Sequence, residues 1–107
     1  MIVYLASGDS MEKYIISIDL DGTILNDNKE ITPYTMKILK RCKKLGCKIM
    51  INTSRSYIRT LKYSKQINSD FMSCFNGNYL YGRDIYINNS IKILYTIIKY
   101  KYFINII

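Results

Sequence analysis

The chain has 107 residues, one domain's worth, and its 49% hydrophobic and 22% charged residues exclude global disorder. Sixteen basic residues against eight acidic give a net charge of +8, which suits phosphate-bearing partners and is silent on fold. There is no histidine, which removes His general bases, His metal ligands and Ser-His-Asp triads together.

Residues 1–10 carry neither the basic start nor the long apolar stretch of a signal peptide, and read as an appendage ahead of Met11. Tyr14-Ile15-Ile16-Ser17-Ile18 is a continuous, β-branched apolar run and predicts a buried parallel strand. It stops at Asp19-Leu20-Asp21-Gly22-Thr23, and residues 26–30 form a polar loop. Thr32-Pro33 predicts a helix start, with Thr as cap and Pro at the first helical position. Ile38, Leu39, Cys42 and Leu45 then recur on one face, lysines fill the other, and Gly46 marks the end. Residues 47–52 predict a second strand. Thr53 or Ser54 caps a second helix to about Gln66, with Tyr57, Ile58 and Leu61 inward. Residues 71–75 predict a third strand, stopped by Asn76-Gly77-Asn78. Alternating strands and helices indicate parallel βαβ units, hence an α/β class with a Rossmann-like core of three parallel strands. Residues 79–81 and 85–87 around Gly82-Arg83-Asp84 predict a small hairpin. In residues 91–107, Ile91, Leu94, Tyr95, Ile98 and Tyr102 keep helical spacing, yet 102–107 also reads as a strand. No apolar run approaches the ~20 residues of a membrane span. Cys42, Cys47 and Cys74 form no C-x-x-C pair and suit a reducing, cytoplasmic setting.

The acidic turn carries the chemistry. Two carboxylates at i and i+2 beyond a strand end, with Gly next, sit where ligands bind in parallel α/β sheets. One can hold a hard cation such as Mg²⁺, and one can attack phosphorus if the charge is screened. A solvated Asp-x-Asp-Gly turn is the bland alternative; the apolar strand before it and the ordered βα pattern after it favour the chemical one.

These residues resemble a family. Residues 15–25, with Asp19-Leu20-Asp21-Gly22-Thr23 at their centre, are similar to the first motif of the haloacid dehalogenase superfamily. Glu30-Ile31-Thr32-Pro33, Ile49-Met50-Ile51-Asn52-Thr53-Ser54-Arg55 and Phe75-Asn76-Gly77-Asn78 resemble its Cof-type sugar-phosphatase branch. The resemblance implies a Mg²⁺-dependent phosphohydrolase that acts on a small phosphorylated metabolite, of the sugar phosphate or nucleotide class, through an aspartyl-phosphate. Asp19 is then the nucleophile and Asp21 the acid and base, with Asp19 and Asp21 also holding the metal. Thr53 binds the transferring phosphoryl group, and Arg55, Asn76 and Gly77 line the substrate side. Ser54 stands where the branch usually has Gly.

The same resemblance divides the chain into an appendage at 1–10, a partial core at 11–89 and the truncated start of a cap at 90–107. The family's later Lys, its second acidic motif and its later core strands have no counterpart here. The expectation is an N-terminal part, incomplete as an isolated chain, that pairs with a missing C-terminal half, with the first strand left as an open edge. The alternative is a non-catalytic fragment or basic binding module, its Lys-rich first helix facing nucleic acid or another anionic partner. A solvated helix face explains those lysines more simply. Packing explains the tyrosines better than base stacking does, and no membrane partner is expected.

Overall fold

The computed structural model describes residues 14–82 and the strand backbone of Tyr102–Ile106. Strand β1 (Tyr14–Ile18) leads through a tight turn to helix α1 (Pro33–Lys44) and strand β2 (Lys48–Asn52). Helix α2 (Tyr57–Ile67), strands β3 (Phe71–Cys74) and β4 (Tyr79–Gly82), and finally β5 (Tyr102–Ile106) follow. The sheet order is β4-β3-β2-β1-β5. β3, β2, β1 and β5 run parallel, and β4 is antiparallel to β3.

The local reasons match the sequence. The Thr32 hydroxyl accepts the Thr35 N–H at 3.3 Å, and Pro33 opens α1. Gly46, at φ +95°, ends it in the left-handed conformation that glycine adopts without steric cost. Arg41, Lys43 and Lys44 fill the last turn, where the helix dipole favours cations. On one face of the sheet Ile16, Ile18, Ile49, Ile51, Met72 and Cys74 pack in one core with Leu39 and Cys42 of α1 and Tyr63 and Ile67 of α2. On the other, Ile15 and Met50 are buried against Phe71 and Leu80. A parallel strand buried on both faces needs a continuous apolar run, which is how β1 was legible.

Several expectations are corrected. β1 is not an open edge: β5 pairs along its whole length, from Tyr14 with Tyr102 to Ile18 with Ile106. The sheet thus has four parallel strands, one more than expected. β3 and β4 form a hairpin through the turn Phe75–Asn78; the expected partner of 79–81, residues 85–87, lies outside the described residues. Ile58 is not inward but 81% exposed; Thr60, Tyr63 and Ile67 make the buried stripe of α2. The α2 cap is Ser56, which accepts the Arg59 N–H at 3.3 Å, so neither Thr53 nor Ser54 has that task. Of the stretch 90–107 expected to open a cap, the described part, Tyr102–Ile106, lies in the core sheet. The appendage at 1–10 and the helical spacing at 91–101 lie outside the described residues.

Candidate active site at the carboxyl edge of the sheet

Parallel strands deliver their following loops to one edge, and there the predicted site residues gather. Asp19 leaves β1, Thr53 leaves β2, and Phe75–Asn78 leaves β3. Asp21 (φ −69°, ψ 128°) and Gly22 (φ 75°, ψ 2°) are the centre of a type II turn. Its third position needs positive φ, which explains glycine there. A Cβ on Gly22 would meet nothing within 4 Å, so only backbone strain opposes one. Gly22→Ala is therefore expected to cost about 1 kcal/mol of stability. A urea midpoint read with an unchanged slope checks this.

The turn sets two carboxylates in different surroundings. Asp19 is half-buried and accepts a hydrogen bond from the Thr23 hydroxyl at 3.4 Å. Asp21 is bracketed by cations. Arg55 donates to it twice, Nε to Oδ2 at 2.7 Å and a terminal guanidinium nitrogen to Oδ1 at 2.8 Å. Lys29 Nζ donates to Oδ1 at 3.1 Å from the solvent side. The fork matches the carboxylate, and charge-assisted bonds of this kind are the strong ones. They hold the Asp21 carboxyl well below the usual carboxylate range, the Arg55 bond being the largest cause, and raise the Arg55 guanidinium in turn.

A carboxylate depressed in the folded state stabilises the fold above its unfolded pKa, and that contribution fades as pH falls towards the folded value. Asp21→Asn should therefore be less stable than the parent at pH 7, with the gap closing progressively below about pH 4. Denaturation midpoints of both proteins across that range check it.

Thr53 is buried and fixed on three sides. Its N–H donates to the Ser73 carbonyl at 2.8 Å, its carbonyl accepts the Asn76 N–H at 3.1 Å, and its hydroxyl oxygen accepts the Arg55 N–H at 3.1 Å. The hydroxyl proton is left to donate elsewhere. Phe75, Asn76 and Gly77 all have positive φ and form the β3–β4 turn, held by Phe75 N–H to the Arg55 carbonyl at 3.1 Å. Asn76 and Gly77 are thus exposed at the rim, joined to the Thr53–Arg55 segment through backbone. The Arg55 guanidinium is turned to Asp21.

Two residues escaped the sequence reading. Lys29 reaches Asp21 from the polar loop at left-handed φ +60°, a position that an Asn-rich loop signals only faintly. Tyr63, on α2, packs its ring 5.4 Å from the Arg55 guanidinium carbon. A stripe drawn through Thr60, Tyr63 and Ile67 would have pointed inward to it. The exposed cations Lys37, Lys40, Arg41 and Lys44 lie on α1, whose Lys-rich end meets the amino edge of the sheet, opposite this site.

Asp19 supplies a carboxylate of the hard-oxygen type that Mg²⁺ takes. Among the described residues no group of three or more His, Cys, Asp or Glu gathers to hold a metal ion. The donors present fit part of a magnesium shell, with the Asp21 carboxylate itself committed to Arg55 and Lys29. Among the described residues no helix is long and apolar enough to cross a membrane.

Residues 16–105 match a family model described as haloacid dehalogenase-like hydrolase. The chain is 32% identical over 72 residues to pyridoxal phosphate phosphatase YbhA of Escherichia coli, covering 66% of this chain and 26% of that one. It is 39% identical over 54 residues to 5-amino-6-(5-phospho-D-ribitylamino)uracil phosphatase YitU of Bacillus subtilis, covering 50% of this chain and 20% of that one. A solved structure of the subclass IIB sugar phosphatase BT4131 superimposes with a TM-score of 0.57 at 28% identity, over 65% of this chain and 28% of its own. The chain spans about a quarter of the length of the first curated relatives it matches.

Proposed function

Because the chain belongs to the haloacid dehalogenase-like hydrolase family, we propose that its carboxyl-edge site takes part in hydrolysing a phosphate ester of a small metabolite. The observation that carries this is the pair Asp19 and Asp21 on one turn beyond β1, with Thr53 beyond β2 beside them. The names of the relatives, a pyridoxal phosphate phosphatase and a sugar phosphatase among them, support a small phosphorylated substrate.

An Asp19 carboxylate oxygen attacks phosphorus, and the bond from phosphorus to the leaving oxygen breaks. The leaving oxygen takes a proton from Asp21. Water then attacks the aspartyl-phosphate and gives its proton to Asp21, which releases inorganic phosphate and restores Asp19. Thr53 donates its hydroxyl proton to a phosphoryl oxygen, and its buried, thrice-fixed backbone keeps that donor in place. As found, Asp21 is ionised, which suits the water step; the proton-donating step requires Arg55 or Lys29 to give way. Mg²⁺, held by the Asp19 carboxylate and the Asp21 carbonyl, would screen the phosphate's charge.

Screening decides how much this chain does alone. Arg55 and Lys29 both serve Asp21, so Asp19 faces a phosphate dianion with no cation of its own among the described residues. A like-charge pair at ~4 Å costs roughly 4 kcal/mol at an effective dielectric of ~20. The test is Mg²⁺-dependent hydrolysis of an aryl phosphate by the chain alone and by the chain co-expressed with the C-terminal part of a relative. Weak turnover alone and marked turnover together support the reading. Because β5 covers β1, the added part has to join outside β5 or displace it. Equal, Asp19-independent hydrolysis in both preparations would overturn the assignment.

A further inference from the structure

The two cations that bracket Asp21 come from distant parts of the chain, Lys29 from the loop before α1 and Arg55 from the segment before α2. Both meet one side chain. Tyr63 is 2% exposed on the buried stripe of α2. Its hydroxyl donates to the Lys29 carbonyl at 2.7 Å, and its ring lies 5.4 Å from the Arg55 guanidinium carbon.

The Lys29 loop is stiff in itself. Asn26 and Glu30 bond backbone to backbone, Lys29 N–H donates to the Asn26 carbonyl at 2.9 Å, and the Asn26 side chain accepts the N–H groups of Asn28 and Glu30. Leu25 and Ile31 close its base as a bridge. A stiff loop swings as a unit, and the Tyr63 hydroxyl ties it to α2 at the residue whose ammonium reaches Asp21. Core filling alone would be met by phenylalanine, since a buried hydroxyl is costly unless bonded. On the other side, a guanidinium against an aromatic face is held in place by the ring's quadrupole.

We propose that Tyr63 is a positioning residue for Asp21, fixing Lys29 through its hydroxyl and Arg55 through its ring, so that one side chain of α2 orients the carboxylate. The importance of Asp21 rests on the phosphatase reading, but the geometric claim is tested without turnover, so failure of one is distinguishable from failure of the other.

The experiment uses the ¹⁵N-labelled full chain and solvent exchange of two signals, the Lys29 amide and the Arg55 Nε–H. Asp21→Asn gives the reference for a released Arg55, and Ile58→Ala, at an exposed site on the same helix, is the control. Tyr63→Phe should speed exchange at Lys29 at least tenfold while Arg55 Nε–H stays protected. Tyr63→Leu should release both, Arg55 moving to its Asp21→Asn rate. If Tyr63 only fills the core, Tyr63→Phe leaves Lys29 as in the parent, and Tyr63→Leu speeds every α2 amide in the same proportion as the two signals. Either result overturns the proposal. Should Tyr63→Leu fail to fold, the Tyr63→Phe result alone decides.

Discussion

Asp19→Asn should remove phosphatase activity from the co-expressed enzyme by roughly 10⁴-fold or more, the scale seen when a covalent nucleophile is lost. The amide keeps the shape of the side chain but cannot attack phosphorus as a carboxylate does. Asp21→Asn should cost roughly 10²–10⁴-fold, as loss of a general acid and base does. On the proposed mechanism Thr53→Ala removes one hydrogen-bond donor to the transferring group, and it should cost less than Asp19→Asn, on the order of 10²-fold. Initial rates on one aryl phosphate at saturating Mg²⁺ rank the three. An order with Thr53→Ala most severe would place the chemistry elsewhere in the site.

Ile16→Ala should lower stability by about 3 kcal/mol. Ile16 is fully buried in β1 between β2 and β5, and removing its outer carbons loses apolar burial and leaves a cavity that the sheet cannot collapse. That is a large part of the roughly 5–15 kcal/mol available to a domain. Ile58→Ala, at 81% exposure, should stay within about 0.5 kcal/mol of the parent. Urea unfolding of both variants makes the comparison. Equal losses would restore the inward Ile58 that helical spacing suggested.

That pair shows where sequence reading worked and where it stopped. β1 was legible because burial on both faces demands an unbroken apolar run, and α1 because Thr32, Pro33 and Gly46 mark its ends. α2 misled at Ile58, which is exposed; Tyr57 and Leu61 do pack against the core, but the fully buried stripe is Thr60, Tyr63 and Ile67, two of them carrying hydroxyls. The turn before β4 was announced by Asn76-Gly77-Asn78, whereas the left-handed φ at Phe75, an outlier for that residue type, was not legible. β5 was one of two readings of the tail, and its pairing with β1 is a long-range contact that no local period encodes.

In the site, Asp19, Asp21 and Thr53 were legible because they follow strand ends. The Arg55 partner was not, since 34 residues separate it from Asp21 and either a surface role or a substrate role fits the letters. Lys29, only eight residues from Asp21, was hidden for another reason: a lysine in a polar loop is ordinary until the fold brings its ammonium to a carboxylate.

The most direct measurement is where the phosphoryl group goes. The co-expressed enzyme is quenched in acid during turnover of an aryl phosphate with Mg²⁺, digested and read by mass spectrometry. A phosphoryl group on the peptide carrying Asp19, absent in Asp19→Asn and accumulating in Asp21→Asn as the water step slows, is the result expected. Turnover with no phosphoryl group on Asp19, or with one that persists in Asp19→Asn, would contradict the nucleophile on which the account depends.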